Sequence, residues 1–258
     1  MQNNLVSIIT PSYKSKQFIA QTIESVLNQS YREWEMIIVD DASPDDSNSV
    51  IAKYTKKDSR IKLIKLEKNS GPAVARNRAI EEAKGRYIAF LDADDLWMPE
   101  KLEKQIAFMQ EKDCTLSYTA YETMTEAGVM KNRVVRPSLK LSYNDLLKSN
   151  QIGCLTAIYD TTKIGKMYMP LISKRQDYGL WLKILKKIDY AYGIDEPLSV
   201  YRIVSNSVSS NKYKLLKYNY LLFREHEKFS ILKSFYYLGW NIGKKVFGEK
   251  YLKKDNKK

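Results

Sequence analysis

Asp92, Asp94 and Asp95 fall within four positions, directly after the apolar and aromatic run Tyr87–Leu91. Carboxylates about 4 Å apart repel by roughly 1 kcal/mol in water and about 4 kcal/mol near a protein surface. Such a cluster asks for a counter-charge. Hard oxygen ligands of this kind suit Mg2+ or Mn2+, and Mg2+ is commonly held by one or two carboxylates together with substrate phosphates. Asp92 and Asp94 are therefore the candidate metal-ligating pair. The plainer alternative makes all three leading acids of a helix over Met98–Lys112, whose N-terminus favours negative charge. Asp95 needs no more than that.

Other polar groups sit at comparable places. Asp40 and Asp41 follow the apolar Met36–Val39, where they could hydrogen-bond a nucleotide base or ribose, or open a solvated loop rich in Asp and Ser. Asn69 and Arg76 belong to "NSGPAVARN", a turn leading into a helix N-terminus that could receive phosphate or sugar hydroxyls. Arg76 and Asn77 could equally be structural. Asp177 opens a helical pattern beside Arg175, where an acid also favours the helix dipole. Arg202, read alone, could form a surface ion pair of little worth. The lone histidine, His226, lies between Glu225 and Glu227 in a polar helical stretch, and catalysis depending on histidine is not expected.

The elements that must position these groups alternate in type. Leu5–Thr10, Trp34–Asp40, Ile61–Glu67, the run from Tyr87 to Asp92, and Thr115–Glu122 read as strands. Lys16–Gln29, Ser47–Lys57, Gly71–Gly85 and Met98–Lys112 read as helices, with Pro near the start and Gly at the end of the third. Strand and helix in turn predict an α/β fold: an open, mostly parallel sheet covered on both faces. Ligands of such sheets bind beyond the carboxyl ends of the strands. Thr10–Tyr13, Asp40–Asp41 and Asp92–Asp94 are all placed there. Residues 123–175 are less regular, with a turn near Gly128, a short helix at Ser142–Ser149 and a strand near Leu155–Tyr159. Gln176–Lys187 reads as a helix and Pro197–Ile203 as a strand.

Of 258 residues, 44% are hydrophobic and 28% charged, a globular composition. The net charge of +13 is uneven: residues 211–258 hold 13 Lys and Arg against 4 Asp and Glu. These residues read as a basic, aromatic-rich helical extension, separate from a domain over 1–210 whose halves meet near residue 120. Basic amphipathic segments bind anionic membrane surfaces. The competing arrangement packs them as helices on the domain. No motif supports nucleic acid. Cys114 and Cys154 have no metal-like spacing and suit a reducing compartment. Without a leader-like start or a long apolar run, the chain is expected in the cytoplasm, peripheral on the inner face of the membrane.

Six segments in order, "SIITPSYK", "IIVDDASPDDS", "NSGPAVARNRAI", "YIAFLDADDLW", "RQDYGLWLKIL" and "EPLSVYR", resemble family 2 glycosyltransferases of the GT-A fold over roughly residues 4–210. The resemblance is to bacterial enzymes that build capsule, O-antigen or teichuronic-type polysaccharides. It implies inverting transfer from a nucleotide sugar, a UDP-sugar, to a hydroxyl of a glycan or lipid-linked glycan. It further implies that Pro11, Tyr13, Asp40, Asp41, Asn69 and Arg76 serve the nucleotide. Asp92 and Asp94 would hold Mn2+ or Mg2+ and the ribose–diphosphate side, Arg202 would face the diphosphate, and Asp177 would be the general base. Gln176 stands where many relatives carry Glu. A sugar-nucleotide nucleotidyltransferase is the alternative enzyme, though the loop after the first strand lacks the glycines it would want. A non-catalytic, membrane-docked nucleotide binder is the third reading.

Overall fold

Strand β2 (Trp34–Asp40) is buried at every position, which is why it carries no alternation in its sequence. Ile37 and Val39 point to one side of the sheet, Met36 and Ile38 to the other, and each side has its own core cluster. Removing such a side chain from water stabilises the fold by roughly 1.5–3 kcal/mol, so a central strand with two covered faces is strongly fixed. The computed structural model describes residues 2–204 and 212–247; the expected features within 205–211 and 248–258, including the last lysines, lie outside the described residues.

The order along the chain is β1 (Gln2–Ser12), α1 (Ile19–Leu27), β2, α2 (Ser47–Thr55), β3 (Ile61–Lys65), α3 (Pro72–Glu82), β4 (Gly85–Phe90), β5 (Leu96–Trp97), α4 (Lys101–Glu111), β6 (Leu116–Thr125), β7 (Met130–Val135), β8 (Lys140–Leu141), α5 (Tyr143–Lys148), β9 (Ile158–Asp160), α6 (Thr161–Ile164), α7 (Gln176–Leu185), β10 (Ala191–Ile203), α8 (Lys212–Leu221) and α9 (Ile231–Phe247). Among the described residues the strands form one ten-stranded sheet in the order β3-β2-β1-β4-β9-β6-β10-β5, with β7 on β6 and β8 on β10. The β3-β2-β1-β4 half is parallel, as is the β6–β10 pair. β9, β5, β7 and β8 run antiparallel to their neighbours. Among the described residues six strands, β1 to β4, β6 and β10, thus share one direction, and the sheet is mostly parallel as expected, with four antiparallel additions.

Helices α1, α2 and α4 cover one face and α3 and α7 the other. Two boundaries differ from expectation for identifiable reasons. Gly85 does not end α3; it opens β4, where a Cβ would lie 2.5 Å from Leu5 O and 2.8 Å from Ser7 N. Helix α4 starts at Lys101, because β5 and a turn at Pro99–Glu100 come first. The acidic triplet therefore does not lead directly into a helix.

The C-terminal helices pack on the body. Leu222, Phe223 and Tyr237 belong to the same core cluster as Tyr178 and Trp181 of α7. His226, expected in solvent, is half-buried in the π turn between α8 and α9, and burial lowers its pKa. Among the described residues no helix is long and apolar enough to cross a membrane.

Candidate active site

β1 and β2 are in register with Pro11 beside Val39 and Ser12 beside Asp40, so their polar ends leave the sheet at one edge. Asp40 is buried, and its carboxylate accepts from Ser43 N at 2.9 Å, Ser43 Oγ at 2.5 Å and Asn48 Nδ2 at 3.0 Å. Asp41 accepts from the N–H groups of Ser70 at 2.7 Å and Gly71 at 2.8 Å. Its own N–H donates to Ser12 O at 2.8 Å. The two acids thus organise the loops on either side of the strand ends. Gly71, at φ +90°, enters α3 in a conformation other residues resist. Tyr13 stands open beside this pair at 45% exposure, and Asn69 is exposed in the turn before α3.

The residues after β4 form a tight turn, in which the Asp95 N–H donates to Asp92 O at 3.1 Å. It is held from behind. Thr22 on α1 shares its hydroxyl proton between the carbonyls of Ala93 at 3.0 Å and Asp95 at 2.9 Å. Asp95 is buried and accepts the Arg202 N–H at 2.8 Å. The Arg202 guanidinium donates to Asp94 O at 2.8 Å, Glu126 O at 3.1 Å and Gln21 Oε1 at 2.7 Å. With 2% exposure, Arg202 fixes the acidic turn from β10.

In front of the turn, Asp92 Oδ1 receives Arg76 Nη2 at 2.5 Å, and Arg76 Nη1 lies 3.5 Å from Gln176 Oε1. Burial works against the Arg76 charge, but Asp92 first, then Cys154 and Asp177, hold its pKa raised. Asp94 is pushed up to about 6, by burial first and by the Asp92 charge second. Asp95 is raised well above the usual carboxylate range by burial and then by Asp94. Arg76 and Arg202 relieve this repulsion only in part, and a divalent cation would offset the rest, so the donor chemistry fits one. Among the described residues no group of three His, Cys, Asp or Glu is placed to hold a metal ion; the two acids would need oxygens from a ligand, as Mg2+ sites commonly do.

Asp177 is half-buried in the first turn of α7. The chain enters that helix through Arg175 at φ +67°. Gln176 Nε2 donates to Ile172 O at 2.8 Å and Ser173 O at 3.2 Å. Asn77 Nδ2 donates to Met169 O at 2.9 Å and its Oδ1 accepts from Met169 N at 2.8 Å. Two adjacent α3 residues, Arg76 and Asn77, therefore tie the acidic turn to the segment that delivers Asp177. Thr22 and Gln21 are not singled out from sequence, Gln176 is noted there only for standing where many relatives carry Glu, and the contacts of Asn77 fit its structural alternative. The one visible hint was in α3, where two polar residues interrupt a face otherwise built on Ala73, Ala75, Ala79 and Ile80.

The family model for glycosyl transferase family 2 matches residues 7–159. The chain is a family 2 glycosyltransferase. This glycosyltransferase is 48% identical over 230 residues to TuaG of Bacillus subtilis (strain 168), a candidate teichuronic acid biosynthesis glycosyltransferase, covering 89% of this chain and 91% of that relative. It is 39% identical over 243 residues to the Escherichia coli UDP-Glc:alpha-D-GlcNAc-diphosphoundecaprenol beta-1,3-glucosyltransferase WfgD, covering 94% of each. The glycosyltransferase also superimposes on the crystal structure of S. aureus TarS 1-349 in complex with UDP-GlcNAc, with a TM-score of 0.71 at 20% identity, covering 95% of this chain and 74% of that 1-349 chain. That likeness bears out the expected GT-A architecture.

Proposed function

We propose that this glycosyltransferase moves a sugar from a UDP-sugar to a hydroxyl of a growing lipid-linked cell-surface glycan, with inversion, while peripheral on the inner face of the cytoplasmic membrane. The observation that carries it is the contact series Asp92–Arg76–Gln176. It brings the acidic turn beyond β4 to the carboxylate that opens α7, across a long separation in sequence. Supporting the donor and acceptor classes, WfgD is named for a UDP-sugar and a diphosphoundecaprenol-linked sugar, and TarS is solved with UDP-GlcNAc.

In this reading Asp177 accepts the proton of the acceptor hydroxyl as that oxygen attacks the anomeric carbon. Positioned proton transfer of this kind contributes about 10²–10⁴-fold. The new glycosidic bond forms on the face opposite the breaking bond to the diphosphate, so the configuration inverts and UDP departs. Pro11, Tyr13, Asp40, Asp41 and Asn69 border the nucleotide. Arg76 orients Asp92 and faces the departing charge, and Arg202 serves the nucleotide by keeping the turn in shape. Asp92 and Asp94 would hold Mn2+ or Mg2+, which when bound supplies electrostatic stabilisation of the leaving diphosphate. The mannosyltransferase PcManGT from Pyrobaculum calidifontis, solved with GDP-Man and Mn2+, shares the fold at TM-score 0.64.

The test is release of UDP from a panel of UDP-sugars with Mn2+ or Mg2+ by the wild type and by Asp94→Ala. Loss of both transfer and metal-dependent UDP binding in the variant is expected. Undiminished Mn2+-dependent UDP binding by Asp94→Ala would overturn the assignment.

A further inference from the structure

The transfer chemistry makes no use of α9. Its inner side seats on the body: Tyr237 meets Phe223 at 5.9 Å between ring centroids, and Asn241 Nδ2 donates to Leu147 O at 2.9 Å. The opposite side is apolar and open. Ile231, Leu232, Phe235, Tyr236, Trp240 and Ile242 are 42–83% exposed, Leu232 the most. A Cβ built at Gly239 or Gly243 meets nothing within 4 Å, so these positions share the open side. At about 3.6 residues per turn the six side chains span roughly half the helix circumference. Contiguous exposed apolar surface of this kind marks an interaction site.

Charge selects the occupant. Helix α9 contains no Asp or Glu, and its charged residues are Lys233, Lys244 and Lys245. Lys148 borders the face, with Nζ 5.6 Å from the Trp240 ring. Beyond the helix, residues 248–258 add five Lys against Glu249 and Asp255. A helix with Trp, Tyr and Leu on one side and lysines at its margins matches the interfacial zone of a bilayer, and anionic headgroups attract those lysines. A second copy of the same face would bring the same lysines against each other.

We propose that the outward face of α9 docks the enzyme on an anionic lipid bilayer, the helix lying in the headgroup plane with Leu232 deepest. The purpose of this docking, though not the docking itself, rests on the lipid-linked acceptor proposed above. α9 packs on α5 and α5 on α7, so a docked α9 holds the helix that carries Asp177 one helical layer from the lipid.

The full-length chain tests this with phosphatidylcholine vesicles made with and without phosphatidylglycerol. Trp34, Trp97 and Trp181 are at most 4% exposed while Trp240 is 42% exposed, so a change in tryptophan emission on lipid addition reports Trp240. A blue shift and co-sedimentation with the anionic vesicles are expected. Leu232→Glu with Phe235→Glu should weaken vesicle affinity by roughly tenfold or more and abolish the shift. Tyr236→Ser with Trp240→Ser, at the other margin, should lower co-sedimentation in the same way if the first pair misfolds. Equal co-sedimentation of wild type and both variants overturns the proposal. So does a wild-type dimer in lipid-free light scattering that both variants convert to monomer, since a second copy then covers the face. Donor hydrolysis, read in the same samples, should be unchanged in the variants. Its absence from the wild type would strike the transferase reading alone, leaving the vesicle result to decide the docking.

Discussion

Asp177→Asn preserves the size and hydrogen-bonding reach of the side chain and removes its basicity. Because Asp177 is half-buried at the start of α7, the substitution should leave the fold and donor binding intact. The turnover of a UDP-sugar onto acceptor should fall by roughly 10²–10⁴-fold, measured as UDP release at saturating donor. A variant retaining more than about a tenth of the activity would move the base to another group. Arg76→Met probes the same centre differently. It strips the ion pair from Asp92 and the contact from Gln176, so it should raise KM for donor and lower kcat together. At this scale the acids were legible in the sequence because a carboxylate after a buried strand is conspicuous. The work of Arg202 was not. A basic residue in a strand looks the same whether it faces a ligand or, as here, the carbonyls of Asp94 and Glu126.

Among the elements, β2 was predicted to its last residue because both its faces are covered and its run is unbroken. The first half of β10 was not. Gly193, Asp195 and Glu196 break its apolar pattern, and its pairing with β6 shifts register on either side of Pro197. β5 and β8 are two residues each, too short to carry any period. The Gly85 position also follows from contacts that sequence does not display. Gly85→Ala would drive a Cβ to 2.5 Å from the Leu5 carbonyl oxygen, a backbone atom of β1 where its register with β4 shifts between Gln2 and Val6. Overpacking of this kind costs about 1–3 kcal/mol or more, each kcal/mol lowering Tm by roughly 2–4 °C in a chain of this size. A thermal melt unchanged from wild type would mean that the strand can shift aside.

Helix α4 carries a second element-scale consequence. Lys101 is 0% exposed, its Nζ donates to Gln105 Oε1 at 2.5 Å and lies 4.6 Å from the Trp97 ring. Burial pushes its pKa down to about 7. Between that value and the ordinary lysine range near 10.4 the unfolded chain binds the extra proton, so stability rises with pH across this window and is lost as pH falls toward 7. Lys101→Met abolishes that dependence. The Tm of wild type should therefore gain on that of the variant from pH 7 to pH 9, whatever the variant loses by leaving Gln105 Oε1 without its donor. A difference that stays constant with pH would mean that Lys101 remains charged in the fold.

For the molecule as a whole, the charge asymmetry of residues 211–258 suggested a separable tail, because composition cannot tell which face of a helix is covered. Lys233 and Lys244 are exposed on α9, while Leu222, Phe223 and Tyr237 complete the core that holds α7. Phe223 meets the Tyr178 ring edge-on at 6.2 Å between centroids. Glu227, buried, receives Lys186 Nζ at 2.7 Å from the far end of α7 and the Tyr143 hydroxyl. Cutting the chain after residue 210 should therefore not yield a stable catalytic domain. Phe223→Ala alone should cost about 3–5 kcal/mol, through lost transfer free energy and the cavity left behind. Leu232→Glu, on the open side of α9, should leave the melting temperature essentially unchanged. Thermal unfolding of the two single variants separates the cases. If both melt with wild type, the C-terminal helices are an appendage and α7 is supported from elsewhere. If Phe223→Ala falls and Leu232→Glu does not, α9 has one face committed to the core and the other free to meet a surface, so substitutions on its open face can alter docking without loosening the helix that presents Asp177.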